Sequence, residues 1–339
     1  MSCLDTIEGT TYRIYGINLA SDHHFVNRLG KGRGAPDLIF NFVEEPISQA
    51  DYPKIIFSSD SKMEGKQKGL IALFGGEGRL LVRFSGMMEY EITPKRITAH
   101  VFDPEYQYLA ELHLLSEVLS LWLEMNGIVA LHASAVTAKD HAVAFLSSKK
   151  GGKSSLAAQF VKSGHKLLTD DILPVEKRDG LFIGRPGYPQ MRMWPDQAEH
   201  FLGGCQDLEL IHPHASKRRI PIGADVAGSI GFGEFSSMDA PLSAIYLPER
   251  RDDIQSIQIS AVPPSLALIE MIRNSFTARI AELLGWSGKR MIFLSGLAAS
   301  VPMRRLAFPN GNDHLTSVRD AILSDLEQLA HEGEIGNNK

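Results

Sequence analysis

The chain has 339 residues, 44% of them hydrophobic and 22% charged, with a formal net charge of -5. That is enough for two domains with ordinary cores, and too acidic for the extended basic surface that nucleic acid requires. Two cysteines, Cys3 and Cys205, exclude a disulfide framework, no apolar run reaches the roughly 20 residues of a membrane span, and no basic-then-apolar leader opens the sequence; a cytoplasmic protein is expected, with neither a nucleic-acid nor a membrane partner.

Residues 1–103 read as short strands at 12–20, 37–43, 54–58, 69–74, 79–84, 90–92 and 97–102, rich in β-branched and aromatic side chains. Gly, Asp, Pro and Lys clusters at 31–36, 61–68, 75–78 and Pro94-Lys95 divide them. A mainly antiparallel β domain is predicted, a candidate to hold a substrate or partner. His23-His24 reads as a loop pair, since no further ligand stands at metal spacing.

The period then changes. Leu109, Leu112, Leu115, Val118, Leu119, Trp122 and Leu123 recur at steps of three and four, so residues 104–127 are predicted as a connecting helix stopped by Gly127. From 128 strands and helices alternate, which predicts an α/β domain over 128–331. Its strands are expected at 128–136, 142–146, 166–168, 181–183, 190–193, 219–222, 244–247, 257–261 and 304–308. Its helices are expected at 154–163, 195–202, 263–284, 290–299 and 315–331, with a frayed tail at 332–339.

The informative stretch is 142–155, Ala-Val-Ala-Phe-Leu-Ser-Ser-Lys-Lys-Gly-Gly-Lys-Ser-Ser. An apolar strand runs into Gly151-Gly152-Lys153-Ser154, where a helix starts. Glycines let backbone N–H groups approach phosphate oxygens, and the helix N-terminus adds its positive end. Lys153 has the reach for β- and γ-phosphates, and the Ser154 hydroxyl suits Mg²⁺. Ser148, Lys149, Lys150, Gly151, Gly152, Lys153, Ser154 and Ser155 are therefore the candidate ATP-binding residues. Lys149 and Lys150 read equally well as solvent-facing. Ser147 stands where a P-loop has its first glycine, which predicts an altered loop entry.

A second motif follows, Lys166-Leu-Leu-Thr-Asp-Asp171, an apolar strand ending in two carboxylates. Ligands collect at the carboxyl ends of strands in open α/β sheets. Successive side chains point to opposite sides of a strand, so Asp170 and Asp171 are expected to do different work.

The run Leu131-His-Ala-Ser-Ala-Val136, the P-loop, and Gly164-His-Lys-Leu-Leu-Thr-Asp-Asp171, in that order and spacing, resembles the catalytic domain of HPr kinase/phosphorylase. The opening Tyr12-Arg-Ile-Tyr-Gly-Ile-Asn-Leu-Ala-Ser21 and the later Pro186-Gly-Tyr-Pro-Gln-Met-Arg-Met-Trp-Pro195 are similar to HPr-kinase-like proteins with an N-terminal β domain. Some of those resemble lasso peptide tailoring kinases, which act on a C-terminal serine of the precursor. The resemblance implies a P-loop fold, ATP and Mg²⁺ as cofactors, and a peptide or protein partner carrying an acceptor serine. It also implies Asp170 as general base, Asp171 with Ser154 on the metal side, His132 beside them, and a homo-oligomer by analogy. The family's Glu-x-Arg-Gly segment has no counterpart here, which sets HPr itself and the reverse reaction apart. A nucleotide-binding regulator without transfer activity and a small-molecule kinase remain the alternatives. Arg192, the cluster Lys217-Arg218-Arg219, Arg304-Arg305, Asn274 and Arg279 are secondary candidates.

Overall fold

The computed structural model describes residues 9–62, 68–148, 151–223, 231–275 and 277–336, so Lys149 and Lys150 lie outside the described residues. The chain divides into two compact units. One comprises Met1–Ala130 with Phe276–Arg290, the other Leu131–Ser275 with Met291–Lys339.

The first unit carries a nine-stranded sheet. Its spatial order is Gly30–Lys31, Thr10–Ile14, Ile17–Ser21, Leu38–Phe42, Arg96–Val101, Met88–Ile92, Arg79–Phe84, Lys68–Gly76 and Lys54–Lys62. The pairing is antiparallel except on either side of Leu38–Phe42, where two parallel ladders make the sheet mixed. The strand expected at 12–20 is a hairpin. Tyr15 and Gly16 adopt φ of 52° and 71°, the two left-handed residues of a tight turn.

The apolar stripe of 104–125 does form helix, but with a π-helical turn at Leu114–Val118 between two α segments. The Tyr15 and Tyr90 hydroxyls donate to the Leu115 and Ala110 carbonyls (2.8 and 2.6 Å), tying this helix to the sheet. His23 lies 3.3 Å from the buried Glu111, whereas His24 is exposed. Buried Glu124 accepts from Thr277 (3.0 Å) and Arg290 (3.2 Å), so the segment 277–290 is held to the helix by a desolvated ion pair.

In the second unit, Ala133–Ala138 runs antiparallel to both His141–Leu146 and Lys166–Thr169. Those two strands therefore point the same way. Ala240–Arg251 is parallel to His141–Leu146, and Met303–Pro309 is parallel to Ala240–Arg251. Four carboxyl-terminal strand ends and the start of Ala133–Ala138 thus share one edge of the sheet. Helix Lys153–Lys162 buries Leu156, Phe160 and Val161 in one core with Val143, Phe145, Tyr246 and Phe308, and with Leu315, Val318 and Ile322 of the helix Leu315–Gly336. Each such side chain contributes about 1.5–3 kcal/mol of burial, which fixes the helix start relative to the edge.

Four expectations change. The strand at 128–136 breaks at His132, whose N–H bonds to the Asn274 carbonyl at 3.0 Å. The helix at 263–284 is two, Pro264–Arg273 and Ala278–Leu283, because the Asn274 backbone turns away to make that bond. In the first of these, Ala267 and Met271 are buried, while Leu266 and Ile269 are exposed. An unexpected strand, Leu173–Arg178, pairs with Leu181–Gly184 through the left-handed turn Asp179-Gly180. The tail stays helical to Gly336. No helix among the described residues is long and apolar enough to cross a membrane.

Candidate active site

The shared edge gathers the sequence candidates. After Leu146 the chain turns through Ser147 and Ser148, and the Gly151 N–H returns to the Ser148 carbonyl at 3.1 Å. Ser147 needs no positive φ, so a serine is accommodated where the P-loop pattern has glycine. The demand for glycine falls instead on Gly151 and Gly152. A methyl group on Gly151 would sit 2.2 Å from Ser147 Oγ, and Gly152 caps the helix at φ 96°.

Lys153, buried at 8% exposure, curls back over this turn. Its ammonium donates to the carbonyls of Ser147 (2.7 Å) and Ser148 (3.3 Å) and reaches His132 Nε2 at 3.3 Å. Burial lowers its pKa, against the pull of Asp171 and Asp170. Among the described residues no carboxylate pairs with this cation, as suits a group that meets an anion.

Ser154, one residue on, donates to Asp170 Oδ1 at 2.9 Å. Asp170 is buried and accepts two further bonds, from Ser134 Oγ (2.7 Å) and the Arg192 N–H (3.1 Å). The carboxylate bonded to the Ser154 hydroxyl is therefore Asp170, whereas the sequence expectation paired Ser154 with Asp171. The reason is the corner after Thr169. Its hydroxyl donates to the Ile172 carbonyl (2.5 Å), and Asp171 takes φ 81°, which swings the second side chain out of the strand's alternation.

Asp171 faces a different set of groups. Its side chain is 28% exposed and lies 3.3 Å from both Arg192 Nη1 and His132 Nδ1. His132 Nδ1 is also 3.0 Å from the Asp171 carbonyl. An ammonium can only donate, so Lys153 requires Nε2 to accept, which leaves the proton on Nδ1, aimed at Asp171. Burial lowers the His132 pKa, Asp171 opposes the shift, and Lys153 reinforces it. The ring is held neutral in one tautomer.

The residues present suit magnesium and a polyphosphate. Among the described residues no cluster of three or more His, Cys, Asp or Glu forms a metal cage. Magnesium at phosphate sites commonly takes one or two carboxylates, with phosphate and water oxygens completing its shell. Asp170 with Ser154 is such a donor set.

Arg192 belongs to the site. Its guanidinium bridges Asp171 and the buried Tyr188 hydroxyl (3.1 Å). Lys217 stacks 5.3 Å from the Trp194 ring and adds positive potential at Lys153. The other arginine candidates have partners away from this edge. Arg304 pairs with buried Asp325, Arg305 with Glu249, and Arg219 with Glu209. Arg279 lies over Phe57 in the first unit. Sequence reasoning missed Ser134, which donates to Asp170, and Gln197 and Arg250, which both donate to the Ser155 hydroxyl. For Ser134 a signal existed, since it stands two residues from His132, the strand repeat that puts side chains on one face.

No protein-family model and no curated protein matches this sequence. Among solved structures, the chain is similar to the HPr(Ser) kinase/phosphatase from Coxiella burnetii at 10% identity and a TM-score of 0.32, over 62% of this chain and 96% of that one.

Proposed function

We propose that this chain is an ATP- and Mg²⁺-dependent kinase that phosphorylates a serine hydroxyl of a peptide or protein. The bond from Ser154 to Asp170, directly behind a glycine turn and beside Lys153, is the observation that carries this reading. It joins a polyphosphate cradle to a metal-side carboxylate at the ends of the two strands that flank Ala133–Ala138. When bound, Mg²⁺-ATP supplies an electrophilic phosphoryl group with its charge partly neutralised.

This chain's own residues divide the remaining work. Lys153 and the N–H groups of 151–155 bind the phosphates, with Lys153 exchanging its carbonyl partners for anionic oxygens. Asp170, fixed by three donors, orients Ser154 and the metal. Asp171 is the more accessible carboxylate and takes the proton from the acceptor hydroxyl. His132 and Arg192 hold Asp171 in place. A serine hydroxyl needs a proton acceptor in hydrogen-bond reach, and such a group is worth about 10²–10⁴ in rate. This reverses the two aspartates relative to the sequence expectation. The specific acceptor suggested by the resemblance is the C-terminal serine of a ribosomal lasso peptide precursor.

Incubation with γ-labelled ATP, Mg²⁺ and serine peptides, with and without a C-terminal serine, tests the reading. Label is expected on the peptide, with ATP binding kept and transfer reduced about 10²-fold or more in Asp171→Asn. Transfer that is undiminished in Asp171→Asn, or ATP bound without transfer to any hydroxyl, overturns it.

A further inference from the structure

One cation at the loop has no place in the chemistry above. Arg250 lies near the end of the long strand Ala240–Arg251, paired with Phe308 on the neighbouring strand. A methyl group on Gly152 would sit 3.1 Å from Arg250 Nε, so the guanidinium lies against the glycine turn itself. Its Nη2 donates to Ser155 Oγ at 2.9 Å. Its Nε is buried and has no hydrogen-bond partner among the described residues.

Ser155 adds a second observation. Its buried Oγ accepts from both Gln197 Nε2 and Arg250 Nη2. A hydroxyl has two acceptor lone pairs and one proton to give. Both lone pairs are engaged, and the proton has no acceptor among the hydrogen bonds of the described residues. An arginine N–H and a serine O–H, both buried donors, thus stand at one flank of the glycine turn. Burial lowers the Arg250 pKa, with Asp196 pulling the other way, as for a cation short of an anion.

Consecutive helix residues point about 100° apart. Ser154 faces Asp170 and the transfer chemistry, so Ser155 and Arg250 face a different flank. We infer that Arg250 is a second cation for the donor's polyphosphate, gripping, with Ser155, the phosphates that remain behind after transfer. This rests on the kinase reading above and goes beyond it. The donor is recognised through its leaving phosphates as well as the transferred one. Such contacts exist before, during and after transfer, so they set affinity rather than turnover.

The test is calorimetric titration of the full chain and of Arg250→Met, Arg250→Gln and Arg250→Lys with Mg²⁺-ADP, Mg²⁺-ATP and Mg²⁺-tripolyphosphate, alongside steady-state kinetics. Loss of a charge-assisted contact predicts about tenfold or more weaker binding of all three ligands in the neutral variants. Partial recovery is expected in Arg250→Lys, together with a raised KM for ATP and an unchanged kcat. An unchanged melting temperature without ligand shows that a variant is folded, and the two neutral replacements guard against one failing to fold. ADP affinity within twofold of the parent in a folded neutral variant overturns the inference. So does a loss confined to ATP and ADP with tripolyphosphate unaffected, because the residue would then read the nucleoside. If the parent chain binds none of the three, the kinase reading falls as well, so the two failures are distinguishable.

Discussion

His132 shows how much a single side chain's surroundings decide. By its neighbours in sequence it is an ordinary strand histidine among alanines and a leucine. In the fold it sits at a break, its N–H on Asn274, one ring nitrogen beside Lys153 and the other beside Asp171. Its pKa is lowered, burial being the largest cause. Below the ordinary value of about 6.5 the unfolded chain therefore binds a proton that the folded chain resists. The sign follows: stability is complete above about pH 6.5 and is lost as pH falls toward the depressed folded value. The melting temperature of the parent is expected to fall more steeply between pH 7 and pH 5 than that of His132→Asn, which keeps a donor toward Asp171 but does not titrate. Parallel curves would remove the neutral-tautomer assignment. The sequence could suggest that His132 matters only through its order before Lys153 and Asp170. The bonds that fix its ring proton come from two separate segments, at Lys153 and Asp171, and no local pattern encodes them.

At the scale of elements, legibility follows the range of the interactions. The helix at Lys153–Lys162 and the strand His141–Leu146 were readable because glycine chemistry and an apolar run are local. So was the Lys139-Asp140 turn, whose φ of 48° and 64° belong to a tight hairpin. The Asp179-Gly180 turn carried the same signal, but Pro174 and the flanking charges hid its first strand. The break at Asn274 was invisible, since its cause is a bond to a residue 142 positions away (274 to 132). Within the glycine turn the two glycines differ in kind. Gly152 is needed for its angle, Gly151 for space. Gly151→Ala is expected to displace Ser147 and deform the cradle, abolishing ATP-induced stabilisation while the melting temperature without ligand stays close to that of the parent. Thermal unfolding with and without Mg²⁺-ATP reads both quantities. An ATP-induced shift like the parent's in Gly151→Ala would mean that phosphate does not use this turn.

The whole molecule is organised by a chain that crosses between its two units three times, after Ala130, after Ser275 and after Arg290. The sequence offers boundaries near 103 and 128, where composition and period change. It does not reveal that 276–290, far along the chain, packs with the first unit, because the link is a buried ion pair formed by tertiary contact. Glu124 and Arg290 are both about 95% buried at the side chain, 3.2 Å apart, and Thr277 and the Ala130 N–H complete the carboxylate's partners. Removing one member of a buried pair costs about 3–5 kcal/mol, because the other keeps its charge without compensation. A fragment beginning at Leu131 retains Arg290 and loses Glu124. It also exposes Ala281 and Thr277, each 1% exposed in the intact chain. That fragment is expected to express poorly or aggregate. The same fragment with 276–290 replaced residue for residue by Gly and Ser is expected to be more soluble, since a flexible polar stretch of equal length leaves no orphaned cation. In the full chain, Arg290→Met and Glu124→Gln should each lower the melting temperature. The double variant should lose less than the sum, because neither partner then leaves a buried charge behind. Strict additivity in that cycle would show that the pair does not bind 277–290 to the helix, and the division of the chain would need another cause.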